Sequence, residues 1–313
     1  MKRRSIKTVL FRYYIILRQT RYPSGGGPMN ERMWTEFDSS LTGILEGRII
    51  GRLAEHLDAV KEKHPEWVGI FLQGSQNYNL DYEGSDIDSK LIVLPSFEDF
   101  VLNRKPHSYT HVMENEEHVD VKDIRLMFDC FRKQNINFVE ILFTRYFILN
   151  PKYTKLYIPM LSIREKIGRY NNYAALNCMV GMAMEKRKAL CHPYPATMQK
   201  IEQYGYDPKQ LHHILRLDEF MRRWLSGVPY QDCLISEKRD ELLSVKVNGV
   251  GAVEEAISLA DATVAEMKQT KDQYMLNHQP QVDHDVDQVM NTVLVDLFKH
   301  NFLSEIGGAQ YAA

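Results

Sequence analysis

The chain has 313 residues, with 39 Lys and Arg against 41 Asp and Glu, a formal net charge of -2 and 44% hydrophobic residues. These proportions exclude global disorder, collagen and coiled coil. No run of 18 or more uncharged apolar residues marks a membrane-spanning helix. A length of this order predicts about two domains of roughly 100–200 residues each.

Residues 1–28 hold seven of the bases and no acid, so the remainder carries -9. A mildly acidic body argues against generic coating of nucleic acid, which needs clustered positive charge. This basic leader ends in Pro23-Ser24-Gly25-Gly26-Gly27-Pro28, just before Met29. Arg12 interrupts its apolar run and no small-residue cleavage site follows, which argues against a secretory signal. Three readings stand: an organellar presequence, a basic tail that touches nucleic acid or membrane, or an over-long reading frame with a native start at Met29.

Apolar positions at Leu41, Leu45, Ile49, Leu53, Leu57 and Val60 recur mostly in steps of four and predict an amphipathic helix over 41–64. Trp67-Val68-Gly69-Ile70-Phe71-Leu72 predicts a buried strand stopped by Gly74-Ser75. Residues 86–94 predict a second strand ended by Pro95, and 109–113 and 117–122 two more joined at Asn115. From Ile124 onward the pattern is helical almost to the end. Strands followed by helices predict an α+β fold rather than a βαβ repeat. The predicted organisation is a leader over 1–28, a domain with a small mixed sheet and flanking helices over 29–150, and a helical domain over 151–313. Cys130, Cys178, Cys191 and Cys233 form no C-x-x-C pair. That spacing argues against a disulfide scaffold or a cysteine-rich zinc site and fits a reducing, cytoplasmic compartment.

The stretch from Gly74 to Asp88 carries the chemistry. Gly74 and Ser75 follow a buried strand, where free backbone N–H groups and a glycine permit close approach of a phosphate. Asp86 and Asp88 lie two apart on the predicted strand, hence on one face. Two such carboxylates repel unless a cation sits between them, and Mg²⁺ is usually held by one or two carboxylates plus substrate phosphates. A third acid would complete a two-metal site. Asp120 alternates with Val119 and Val121 and is the favoured candidate; Asp123 is the alternative, or the N-cap of the following helix. Downstream, Asp207 and Pro208 open a helix that places Lys209, His213 and Arg216 along one face. That stripe faces phosphates or is a solvated face; His212 lies off it. Asp283-His284-Asp285 reads as a charged helix start.

This arrangement resembles the DNA polymerase β-like nucleotidyltransferase superfamily, whose signature is Gly-Ser, a gap of about ten residues, Asp-hydrophobic-Asp and a later strand with a third acid. Within it the chain is similar to a group of predicted bacterial and phage nucleotidyltransferases with a G-S-x-x-Y-G-L…S-D-x-D loop, here Gly74-Ser75-Gln76-Asn77-Tyr78-Asn79-Leu80 and Ser85-Asp86-Ile87-Asp88. Asn79 stands where the group has Gly. Asn137-Phe138-Val139-Glu140-Ile141-Leu142-Phe143 and the segment from Tyr204-Gly205-Tyr206-Asp207 to Arg216-Leu217 resemble two further motifs of the group. The resemblance implies transfer of a nucleoside monophosphate from ATP or another nucleoside triphosphate to an acceptor, with release of pyrophosphate. It implies Mg²⁺ or Mn²⁺ at Asp86, Asp88 and Asp120, triphosphate at Gly74 and Ser75, and substrate contacts at Lys209, His213 and Arg216. The acceptor is a small molecule, RNA or protein, and no membrane partner is expected. The alternatives are a non-catalytic nucleotide-binding or regulatory module, and a toxin-like enzyme that modifies tRNA or protein.

Overall fold

A computed structural model describes residues 43–310 except Ala196. The leader over 1–28 lies outside the described residues. The chain begins with α1 (Gly43–Val60), β1 (Trp67–Gln73), a 3-10 turn (Ser75–Tyr78), β2 (Asp88–Val93) and α2 (Phe97–Val101). Next come β3 (Ser108–Val112), β4 (His118–Asp123), α3 (Ile124–Arg132), α4 (Ile136–Val139) and β5 (Phe147–Leu149). Helices follow: α5 (Thr154–Ser162), α6 (Arg164–Ile167), α7 (Asn172–Ala189), α8 (Met198–Tyr204) and α9 (Pro208–Leu225). The last are α10 (Tyr230–Leu234), α11 (Arg239–Asn248), α12 (Val253–Asn277) and α13 (His284–Gln310).

The fold is α+β. Among the described residues one sheet runs β3-β4-β2-β1-β5, parallel only between β2 and β4. That one parallel pair is made possible by the β3 excursion, which lets the chain return to the side from which β2 began. β5 departs from the expected all-helical run after Ile124. Its three residues pair with the free edge of β1, and so short an apolar run has no periodicity of its own to read.

Alternation sends the strand side chains to two different cores. Ile70, Leu72, Leu91, Val93, Val119 and Val121 pack under α1 against Ile49, Leu53 and Leu57. Phe71, Ile92 and Leu149 face the other way and join α3 and the helical body in one continuous core. A register shift between Trp67 and Gly69 turns Trp67 toward α1 and Val68 toward the helices. In the helical body α9 packs against α7, α11 and α12. Among the described residues no helix is long and apolar enough to cross a membrane.

Candidate functional site

β1 ends at Gly74, whose φ of 96° and ψ of -150° belong to a region that only glycine occupies without strain. A Cβ there would meet nothing within 4 Å, so the backbone angle and not crowding requires glycine. The 3-10 turn that follows is closed by Asn79 at φ 59°, ψ 34°, the left-handed region that asparagine tolerates. This position, where the similar group has glycine, therefore keeps the turn.

Asp88 opens β2, opposite Gln73 at the end of β1. Asp86 lies before the strand, contrary to the expectation that both acids sit on it. The physical reason is that β1 has already turned away at Gly74, so residues 86 and 87 have no ladder partner. Side chains hold them instead: Gln76 Nε2 donates to the Asp86 carbonyl at 2.7 Å, and Ile87 N donates to Glu117 Oε1 at 3.3 Å. Asp86 is exposed. Asp88 is half-buried, and its Oδ1 accepts from His118 N at 2.9 Å.

A buried network supports this segment from the α1 side. Glu117 accepts from Arg52 Nε at 2.7 Å and lies 3.0 Å from His56 Nε2, while His56 Nδ1 lies 2.9 Å from Ser89 Oγ. Backbone and side chains on both sides of Asp88 are thus tied to one cluster. Burial pushes the His56 pKa down, against the pull of Glu117. Burial also pushes Glu117 up, but Arg52, Asn115 and His56 outweigh it and hold the carboxyl below its ordinary range. Both groups bind protons less readily folded than unfolded, so both stabilise the fold at high pH. The stabilisation from this pair is expected to be full at pH 7, with the His56 part lost as pH falls below about 6.5 and the Glu117 part below about 4.5. Urea midpoints of the wild type and of a His56→Gln variant at pH 7, 5.5 and 4 check this; the variant should show a smaller first step, since burial also pushes down His64, His212 and His213, and keep the second.

Asp120 lies directly beside Lys90 in the parallel register of β2 and β4, on the same sheet face as Asp88. Its Oδ2 pairs with Lys90 Nζ and its Oδ1 lies 3.2 Å from Lys122 Nζ. Lys90 is 2% exposed, its ammonium 4.2 Å from the Phe138 ring centre, and burial lowers its pKa against the pull of Asp120. Asp123 points to the opposite face, fully buried, where it accepts from Arg125 N at 2.9 Å and pairs with the Arg125 guanidinium. It is the N-cap of α3. Among the described residues no group of three or more His, Cys, Asp or Glu gathers as a metal site. Asp86 and Asp88, neither paired with a lysine or arginine among the described residues, are the two carboxylates left to hold a cation together with phosphate oxygens, the usual Mg²⁺ arrangement. The donors do not fit a centre of three free acids.

The helical body clasps the 74–86 loop. Ser236 N donates to the Tyr78 carbonyl at 3.1 Å and Arg239 Nη2 to the Asp81 carbonyl at 2.7 Å. Arg216 lies 4.0 Å over the Tyr78 ring and Lys246 4.8 Å over the Tyr82 ring. Asp207 caps α9 through Lys209 N at 3.0 Å. The predicted stripe then grades inward: Lys209 is exposed, His213 half-buried and Arg216 buried. Arg216 Nε and Nη1 have no hydrogen-bond partner among the described residues. His212 is buried and its Nδ1 donates to the Leu242 carbonyl at 2.8 Å, which makes it a packing residue.

Two cations escaped the sequence reading. Lys186 on α7 and Lys246 on α11 are half-buried, and neither forms an ion pair among the described residues. Burial lowers both pKa values, and Lys209 lowers each further. His213 is pushed well below its ordinary value by burial and by Arg216, so it is neutral at pH 7. Glu140 was legible only as part of a motif. It is 2% exposed, its Oε2 has no hydrogen-bond partner among the described residues, and Gly74 N points at its Oε1 from 3.4 Å. Burial outweighs Arg216 and pushes its carboxyl up to about 8.

A cavity of about 370 Å³ is lined by Arg48, Gln76, Asp81, Tyr82, Ser85 and Arg239 among others, along the 74–86 loop, and none of the candidate residues lines it. A larger one of about 450 Å³, between α5 and α13, contains none of the candidate residues. It includes Asp285 of the Asp283-His284-Asp285 run, where Asp283 Oδ1 accepts from Val286 N at 3.1 Å and so caps α13.

No family model matches the chain, and no curated protein matches it. Among solved structures the chain has a weak likeness to a nucleotidyltransferase-like protein from Exiguobacterium sibiricum 255-15. The identity is 11%, the match covers 81% of this chain and 91% of that chain, and the TM-score is 0.27.

Proposed function

We propose that the chain is a nucleotidyltransferase that moves a nucleoside monophosphate from a nucleoside triphosphate to an acceptor. One observation carries this reading: Arg216 and Lys246 lie over the Tyr78 and Tyr82 rings of the loop that joins Gly74-Ser75 to Asp86 and Asp88, and Lys186 and Lys209 lie close enough to Arg216 and Lys246 to act on the same charge field. A triphosphate is the ligand that suits an acidic strand end on one side and a cationic helix face on the other. Bound there, Mg²⁺ or Mn²⁺ would supply Lewis acidity and partial neutralisation at Asp86 and Asp88.

The chain's own groups do the rest. The Gly74 angle exposes backbone at the turn, and Ser75 adds a hydroxyl donor. Arg216, fixed over Tyr78, orients phosphate oxygens; Lys186, Lys209 and Lys246 balance the charge that builds on the departing pyrophosphate. An acceptor oxygen attacks the α-phosphorus, the bond from that phosphorus to the β-phosphate's bridging oxygen breaks, and the acceptor proton passes to solvent. Positioning and electrostatic stabilisation supply most of the rate in such transfers.

The second reading is a nucleotide-binding module without turnover, favoured by the commitment of Asp120 to Lys90 and Lys122. Incubation of the chain with α-labelled nucleoside triphosphates, Mg²⁺ or Mn²⁺ and cell extract separates the two. Transfer of label to a product supports the enzyme, and the product identifies the acceptor class. Tight nucleotide binding with no labelled product across extracts supports the module.

A further inference from the structure

We infer that this site holds one divalent cation rather than two, and that the Lys90 ammonium stands where a three-acid centre would place the second. The inference rests on the nucleotidyl-transfer reading of the same site.

The observation is the commitment of Asp120. Both of its oxygens face ammonium groups, Oδ2 toward Lys90 and Oδ1 toward Lys122 at 3.2 Å. Neither lysine is free to swing away. Lys90 is carried by β2, an interior strand of the sheet, with its side chain buried and its ammonium over Phe138 at 4.2 Å. Lys122 is on the same strand as Asp120 and also donates to Ser108 Oγ at 2.8 Å. A divalent ion bound to an Asp120 oxygen, at about 2.1 Å for Mg²⁺, would lie against two fixed positive charges. Such a neighbour opposes a cation more strongly than a single carboxylate attracts it, since the carboxylate is already shared.

Asp86 and Asp88 are not committed in this way. Asp86 makes no ion pair among the described residues, and Asp88 is engaged only by His118, through one oxygen. The register explains the difference. Lys90 is two residues beyond Asp88 on the same face and directly beside Asp120, so its reach covers the third acid and not the first. Asp120 and Lys90 together are a built-in ion pair. Asp120 acts as a positioning residue that holds Lys90, and the Lys90 ammonium paired with it occupies the end of the site away from Asp86.

Direct Mn²⁺ binding tests this. The full chain is titrated with Mn²⁺ in the presence of α,β-methylene-ATP, and bound Mn²⁺ is counted by electron paramagnetic resonance. One Mn²⁺ per chain is expected, and Asp120→Asn should leave its affinity within about twofold. Asp88→Asn should weaken it tenfold or more. Because Asp120→Asn leaves Lys90 buried without its partner, Lys90→Met/Asp120→Asn is measured beside it, and the same single site is expected. Two Mn²⁺ per wild-type chain, or a tenfold loss of affinity in the Lys90→Met/Asp120→Asn variant, overturns the inference while leaving the nucleotidyl-transfer reading in place. A chain that takes up neither the analogue nor Mn²⁺ overturns both.

Discussion

Asp86→Asn/Asp88→Asn is expected to lower nucleotidyl transfer by about 10³-fold or more while leaving the fold intact. Loss of a metal's charge stabilisation is worth several kcal/mol in the transition state, about 4 kcal/mol being about 10³-fold. The fold should survive because neither carboxylate is structural. Asp86 is exposed, and the bond that Gln76 makes goes to its backbone carbonyl, which substitution leaves unchanged. Asp88 accepts from His118 N through one oxygen, which an asparagine carbonyl replaces. Stability should therefore move by no more than about 0.5–1 kcal/mol, as for other surface changes. Label transfer and urea unfolding on the same preparation check both halves. Undiminished transfer in the double variant would sink the mechanism.

Glu140→Gln is expected to stabilise the protein, by about 2–4 kcal/mol at pH 7. The carboxyl is buried beside Gly74 and its pKa is pushed up to about 8 from an ordinary 4.5. Between those values the unfolded chain releases a proton that the folded chain keeps, so stability falls as pH rises through that window. A glutamine has no proton to lose and escapes that cost. The gain of the variant should be absent below about pH 4.5, grow with pH, and level off above about 8. Urea midpoints of both proteins from pH 4 to pH 9 test this; parallel curves would show that Glu140 titrates normally. A buried carboxyl that costs stability at the Gly74 turn is the kind of feature a functional site retains.

Much of the architecture was legible because local pattern and tertiary environment agree. Trp67-Val68-Gly69-Ile70-Phe71-Leu72 is buried on both faces, so it reads as a continuous apolar run and forms β1 over Trp67–Gln73. Val119 and Val121 alternate with polar neighbours because one face of β4 packs under α1 and the other does not. Asp207 and Pro208 announce a helix start through chemistry local to four residues, and α9 begins there. β5 was not legible: its existence depends on an unpaired edge of β1, far back in the chain, and not on its own three residues.

The site divides the same way. The chain order by itself predicted that Gly74-Ser75 follows a strand, that Asp88 lies on the next one, and that Asp120 takes the polar face of its strand while Asp123 can cap the helix after it. Those follow from the two-residue period of a strand and the capping preference of aspartate. Only the tertiary structure decided that Asp86 stands off the strand, because the ladder partner that would have held it turns away at Gly74. Only it brought Lys186 and Lys246 beside Lys209 and Arg216, since α7, α9 and α11 meet through packing with no sequence periodicity common to them. And only it put Lys90 against Asp120. A strand's pattern says which face a side chain takes, but which strand lies next to it, and in what register, is settled by how the sheet pairs.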